Sequence, residues 1–262
     1  MSAAAERMPA FFFGHGNPMH AIQRNAYTER WSEIGRSIPR PKAIVSVSAH
    51  WYPQATLVTA MERPRTIHDF GGFPKELFAV EYPAPGEPSL ARRLQQLLRP
   101  TDAGLDTRWG LDHGTWSVLC HVYPRADVPI VQLSMDETLP PRAHYDLGRR
   151  LAPLRDEGIL VIGSGNLVHN LHTYAWGRHS QEPYDWAVRF EAQARELMRT
   201  RDHAPLIDYE QLGRDAMLSA PTPDHYLPLL YVLALQQADE EVSFPVEGVD
   251  GGSISMLTVR VG

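Results

Sequence analysis

Short apolar runs of strand length alternate with stretches of helical period along most of the sequence, and this alternation restricts the fold more than any other feature. Residues 10–13 (AFFF) are aromatic and closed by Gly14, and residues 43–48 (AIVSVS) are β-branched and follow Pro41. Residues 129–134 (PIVQLS) and 159–162 (ILVI) are equally short and apolar. Runs of this kind, bounded by turn formers, read as buried strands. Between them, residues 27–37 carry helical spacing (Trp31, Ile34) and stop before Pro39. Pro88 and Ser89 open a helix with Leu90, Leu94, Leu97 and Leu98 on one face, and residues 114–123 read as another. Leu147, Leu151 and Leu154 place one amphipathic helix over residues 143–156, ended by Gly158. Helices over 184–201 and 226–237 and closing strands over 242–247 and 253–261 complete the pattern. The expected fold is α/β: one domain over residues 1–262, with a mixed central β-sheet flanked by helices. Residues 61–88 (RPRTIHDFGGFP, EYPAPGEP) break this rhythm, and an irregular stretch of that length in a compact domain usually carries function.

Composition narrows the function classes. A chain of 262 residues with 43% apolar side chains builds a core large enough to fold without a disulfide or structural metal, so any metal site here answers to chemistry. The net charge is −6, with no Lys/Arg-rich block, which argues against nucleic acid as a partner. The single cysteine, Cys120, has no internal partner and sits in an apolar stretch, VLCHVY, which suits a reducing compartment. No window approaches the roughly 18 apolar residues of a membrane span, and the first residues lack a basic segment leading into an apolar one. A cytoplasmic protein without a membrane partner is expected.

The 12 histidines are the unusual feature. His15, between Gly14 and Gly16, and His50, in SAHW, each follow a predicted strand. His169 follows the glycine-bearing turn after another strand, in GSGNLVHNL. Ligands of open α/β sheets gather outside the C-terminal strand ends, so three distant stretches face one crevice. Each histidine has an alternative: His15 as a turn residue capping a helix, His50 as a core residue bonded to backbone, His169 as a buried histidine bonded to a carbonyl. His225, in PDHYLPLL, is either a cap-region residue or a ligand with Asp224 behind it. His113, in GLDHGTW, opens a helix whose dipole favours the neutral ring. His68 lies in the irregular stretch, and His20, His121, His144, His172, His179 and His203 read as surface or packing residues. Imidazole nitrogen suits zinc or iron, and three such ligands leave positions open for water, substrate or dioxygen. The wide spacing of these residues matches no zinc finger, and no Walker A, GxGxxG, GxSxG or HExxH motif is present.

The ordered set GHGNPM, SAHW, IHDFGGFP, GLDHGTW, GSGNLVHNL, PDHYLPLLYVLA and SISML, over nearly the whole chain, closely resembles the DODA-type extradiol aromatic ring-opening dioxygenases of the class III, LigB-like superfamily. The resemblance implies a LigB-like catalytic domain that cleaves the ring of a catechol such as DOPA with dioxygen, next to the two hydroxyl-bearing carbons, to a seco semialdehyde. It implies one divalent metal per chain, Fe(II) for turnover, with Zn(II) readily bound but unable to activate dioxygen because it has no redox chemistry. Carried over residue by residue, His15, His50 and His225 look like metal ligands. His169 looks like an acid/base residue that also coordinates in zinc-loaded relatives, and His113 like a second histidine near the dioxygen or catechol. Asp69, Phe70, Trp116 and Tyr226 are candidate substrate contacts, with ordinary packing as their alternative. Two rival readings are a Memo-like metal-binding protein without turnover and a zinc hydrolase, which needs a carboxylate base beside a metal-bound water.

Overall fold

The computed structural model describes residues 7–178 and 182–262. The elements follow in chain order: β1 (Ala10–Gly14), α1 (Ala26–Ser37), β2 (Ala43–Ser48), β3 (Leu57–Thr59), α2 (Lys75–Phe78), α3 (Pro88–Leu97), β4 (Gly104–Asp106), α4 (His113–Val122), β5 (Ile130–Leu133), α5 (Pro141–Arg150) and α6 (Ala152–Asp156). After these come β6 (Ile159–Gly165), α7 (Asp185–Arg199), α8 (Ala204–Ile207), α9 (Arg214–Ser219), α10 (Leu227–Leu233), β7 (Val242–Val246), β8 (Val249–Asp250), β9 (Ile254–Ser255) and β10 (Thr258–Val261).

Eight strands form one mixed sheet in the order β4-β3-β5-β2-β6-β1-β10-β7. Its centre, β5-β2-β6-β1, is parallel throughout, whereas β10 joins β1 and β7 joins β10 antiparallel. The parallel strands are buried along their whole length, because helices cover both faces of such a sheet and each strand then reads as a continuous apolar run. One layer of core joins the sheet to α3, α5, α7 and α10, and the other joins it to α1 and α4. Arg155 closes the molecule at one end: buried, it pairs with Glu240 through two bonds of 2.7 Å and donates to the carbonyls of Met8 and Leu235.

Three expectations change in detail. The helix expected over 143–156 is two helices, α5 and α6, parted at Leu151. Pro153 is the cause, since its ring cannot accept a continuous helix through the preceding turn. The strand expected over 253–261 divides between two partners: β9 pairs with β8 in a separate two-stranded sheet, and β10 enters the main one. The irregular segment holds the short helix α2. Cys120 is half-buried and free, with burial pushing its thiol up to about 12. Among the described residues, no helix is long and apolar enough to cross a membrane.

Candidate metal centre and active site

The C-terminal ends of β1, β2 and β6 lie side by side, and a histidine follows each. His15 comes directly after β1, His50 two residues after β2 and His169 four residues after β6. His113 is the first residue of α4, and His225 stands two residues ahead of α10. All five rings converge. Ring centres of His15 lie 5.0 Å from His50, 5.6 Å from His113 and 5.2 Å from His225. His50 is 3.9 Å from His113 and 5.0 Å from His225, and His169 stacks flat on His225 at 3.5 Å.

The backbone around the site makes this closeness possible. Gly16 adopts a φ of +63°, which only glycine reaches without strain, so the chain turns sharply after His15. Gly165 sits between two of the histidine-bearing segments: its carbonyl accepts from His15 N–H at 3.0 Å, and a Cβ placed on it would stand 2.2 Å from the carbonyl oxygen of His225. At α4, buried Asp112 caps the helix, accepting from Thr115 N–H, from Ser48 Oγ at 2.6 Å and from Gln132 Nε2 at 2.7 Å. This ties the start of α4 to the end of β2.

Four of the five rings have one nitrogen facing a polar group of the protein. Ser164 Oγ donates to Gly114 O, so toward His15 Nδ1, 2.9 Å away, it acts as acceptor. His15 is therefore protonated on Nδ1 and presents a bare Nε2. His225 Nδ1 donates to Asp224. Nδ1 of His50 and of His113 lie 3.2 and 3.0 Å from Asp69 Oδ2, while His113 N–H donates to Asp69 Oδ1 at 2.9 Å. Carboxylate or hydroxyl partners on Nδ1 are the usual outer shell of a histidine metal site, fixing tautomer and ring orientation.

Electrostatics agree with that role. Burial, then the repulsion of neighbouring imidazoles, lowers His15 and His50 well below the ordinary histidine range. The same causes push His169 down to about 2. Neutral imidazole is the form that binds metal. Burial alone would raise Asp69 and Asp224, but the adjoining His113 and His225 outweigh it and hold both below the ordinary carboxylate range.

The donor set fits a metal. Ligand atoms of His15, His50 and His113 all lie within 4.8 Å of one another, and His15 Nε2 stands 3.2 Å from His50 Nε2. Two nitrogens at about 2.0–2.1 Å from one tetrahedral ion are about 3.3 Å apart. This tightest trio differs from the expected set in having His113 where His225 was anticipated. His225 joins the same cluster from the opposite side, between His169 and the other rings.

Four residues expected to contact substrate do not line the cavity beside these rings. Trp116 is fully buried and donates to Ile67 O, and Tyr226 is fully buried, donates to Leu206 O and packs on Tyr209. Both are packing residues. Asp69 serves the imidazoles, and Phe70 backs His113 edge-on at 5.4 Å. The wall is formed instead by residues that sequence reasoning missed, among them Pro18, Phe73, Leu171, Tyr174, Trp176 and Ile254. A signal existed for Trp176, an indole beside Gly177 just after the His169 motif. Of the other histidines, His68 bonds Val80 O, His121 bonds His20 O and His144 bonds Tyr231 Oη. His179 lies outside the described residues.

Five imidazoles gathered at the strand ends and helix starts of an α/β sheet, with carboxylates beside them and a small cavity in front, form a site suited to a metal ion and a small molecule. The two carboxylates that reach the cluster both face imidazole Nδ1 atoms, so neither is the free base a zinc hydrolase requires. Comparison with known proteins is specific. Residues 9–250 match the family described as the catalytic LigB subunit of aromatic ring-opening dioxygenase. The chain is 50% identical to the 4,5-DOPA dioxygenase extradiol of Escherichia coli (strain K12), over 99% of this chain and 96% of that one. It is 35% identical to the enzyme of that name from Beta vulgaris, over 94% and 93%. A crystal structure of an uncharacterized Escherichia coli K12 protein superposes with a TM-score of 0.85 at 46% identity, covering 98% of this chain and all of the other. The chain belongs to the LigB family of aromatic ring-opening dioxygenases, and its reaction is extradiol ring cleavage.

Proposed function

We propose that the protein opens the ring of a catechol, DOPA being the reference compound set by its relatives' names, with Fe(II) held by His15, His50 and His225. The observation that carries this reading is the 3.2 Å approach of His15 Nε2 and His50 Nε2 beside a small cavity. His225 is assigned as third ligand because its Nδ1 makes a hydrogen bond to Asp224, the outer-shell partner typical of a ligating histidine, whereas His113 Nδ1 lies 3.0 Å from Asp69 Oδ2 without one. When bound, a ferrous ion would supply the redox chemistry that couples a catechol to dioxygen.

The residues of the chain supply protons and shape. His169 lines the cavity and is fixed by its backbone, donating N–H to Ser219 O at 2.7 Å and bridging to Ile254. Its half-buried ring is the imidazole placed to take the second catechol hydroxyl proton as general base and to return a proton as the ring opens, the charge of the bound catecholate offsetting the burial and imidazole repulsion that lower it in the free protein. His113, on the wall beside His50 and held by Asp69, offers a second imidazole at the place where the substrate's polar atoms gather. The site is buried at His15 and His113, so water is kept from the reacting atoms. Both oxygen atoms of dioxygen enter the product, and one ring C–C bond adjoining a hydroxyl-bearing carbon breaks.

The test combines metal content with oxygen uptake. Protein stripped by chelator is expected to consume no oxygen with catechols, to recover on anaerobic Fe(II) loading, and to stay silent with Zn(II). His225→Ala should lose the metal, whereas His169→Gln should retain it and turn over at least about 100-fold more slowly, the usual scale for loss of a general acid/base. Full metal content in His225→Ala with loss in His113→Ala would move the third ligand to His113. Undiminished turnover by His169→Gln would remove the acid/base role.

A further inference from the structure

A strand of a parallel sheet covered on both faces is expected to be apolar throughout, and β2, β5 and β6 depart from this on one side only. Side chains alternate between faces along a strand. Ile44, Ile130, Leu160 and Ile162 point into the core layer that α1 and α4 cover, so Ser46, Ser48, Gln132 and Ser164 share that side. All four are fully buried. They are also neighbours across the sheet, Ser46 level with Gln132 and Ser48 level with Ser164. Burying such groups costs stability unless each is bonded, and matched apolar groups would seat a helix about as well. This polar bed needs a reason other than stability.

Its bonds run to the first turn of α4 and to two of the converging histidines. Ser46 Oγ meets Thr115 Oγ1 at 2.8 Å. Ser48 Oγ donates to Asp112 Oδ1 at 2.6 Å, which commits its one proton, and it accepts from His50 N–H at 3.3 Å. Gln132 grips Asp112 twice, donating from Nε2 to Oδ2 at 2.7 Å and accepting the Asp112 N–H on Oε1 at 2.9 Å. Ser164 Oγ donates to Gly114 O and accepts the Nδ1 proton of His15, 2.9 Å away. Contact is closest at Gly114, where a Cβ would stand 2.6 Å from Ser48 Oγ and 2.9 Å from His50 Cδ2. His113 lies between Asp112 and Gly114 in sequence, so a held residue flanks it on either side. A hydroxyl whose proton is already committed can only accept, and that chooses the tautomer of the ring facing it. At Ser164 the choice leaves Nε2 of His15 bare, the atom turned toward His50 Nε2.

We propose that Ser164 and Ser48 are positioning residues of the metal centre. Ser164 sets the tautomer of His15, while Ser48, with Gln132 acting through Asp112, sets the start of α4 and with it His113 against His50. The proposal rests on the reading of His15 and His50 as metal ligands.

The experiment follows the ring and the metal separately. Metal-free protein carrying isotopically labelled histidine is studied by long-range proton–nitrogen NMR at about pH 8, above the ordinary histidine range, with the His15 signals assigned from their loss in His15→Gln. Zn(II) affinity is read by competition with a chromogenic chelator. Wild-type His15 is expected to be protonated on Nδ1. Ser164→Ala should move that proton to Nε2 and weaken Zn(II) binding about tenfold, the lower end of the range for outer-shell partners. Ser48→Ala should weaken Zn(II) binding about as much and leave the His15 tautomer unchanged. Ser46→Ala is the control: it removes a hydroxyl from the same bed, one that faces Thr115, and should keep wild-type Zn(II) affinity. Wild-type His15 protonated on Nε2 overturns the proposal without any variant, so failure of Ser164→Ala to fold leaves it decidable. A loss of Zn(II) affinity in both Ser164→Ala and Ser48→Ala no larger than in Ser46→Ala overturns it as well. Full Zn(II) affinity in His15→Gln would count against the metal reading of the site, while the spectrum would still decide what Ser164 does to the ring.

Discussion

Four histidines of the cluster depend on a neighbour that lies off the cavity wall, and Asp224 shows this most directly. It adjoins His225 in sequence, lies under its Nδ1 and is itself held ionised by that ring. A carboxylate in this position orients the imidazole and makes its other nitrogen a better donor. Asp224→Asn keeps an oxygen acceptor and removes the charge, whereas Asp224→Ala removes both. Metal affinity, read by competition with a chromogenic chelator, should fall about tenfold in the first and toward 100-fold in the second, the range seen for outer-shell partners. Identical affinities in wild type and both variants would mean that Asp224 does not support a ligand. Asp69 is the parallel case with a different lesson. Its place in the motif IHDFGGFP marked it as functional, but only the fold reveals that its carboxylate meets two imidazoles rather than the substrate.

At the scale of elements, the site is made by strand ends and by what is missing between them. Gly165 closes β6 where His15 N–H and the His225 carbonyl both approach. Gly165→Ala puts a methyl group into that contact, and backbone cannot yield as a flexible side chain does. The variant should fold with stability reduced by about 1–3 kcal/mol, the cost of overpacking, and should lose metal affinity because the segment bearing His225 is displaced. Wild-type metal binding alongside the loss of stability would show that β6 and His225 move independently. This contact also marks how far the sequence can be read. The four core strands and the helices α1, α3, α4 and α7 are legible because each contains its own period and its own stops. β3 and β4 are not, since three residues carry no period. The division of residues 253–261 is equally hidden, because two pairing partners far apart in the chain impose it. The five histidines were identifiable from their positions after strands and before helices, but the apolar wall was not. Leu171 and Trp176 look like any loop residues until the fold sets them on the cavity wall.

Over the whole molecule, the site is held by a seam that is itself sensitive to acid. α10 begins two residues after His225 and packs on α5, where Gly148 lets the backbone of Tyr231 approach so closely that a Cβ would stand 2.7 Å from its Cα. His144 of α5 is fully buried in that seam, with Nδ1 3.0 Å from Tyr231 Oη. Burial pushes it down to about 4 from an ordinary value of 6.5. In the unfolded chain His144 takes up a proton near pH 6.5, while in the folded protein it stays neutral until about pH 4. Between those values the unfolded state binds more protons, so stability falls as pH falls, and it is fully retained above pH 6.5. The interval corresponds to about 3 kcal/mol at most for this one residue. His144→Gln keeps a polar group toward Tyr231 and cannot titrate. Urea unfolding of metal-free protein, compared at pH 7 and at about pH 4.5, should therefore show a wild-type loss larger than the variant's by about 2–3 kcal/mol. Because α10 begins two residues after His225, acid that loosens this seam also loosens one wall of the metal centre. Parallel pH dependence in the two proteins would show that His144 is not the neutral buried group, and would leave the acid sensitivity of the fold to the histidines of the centre itself.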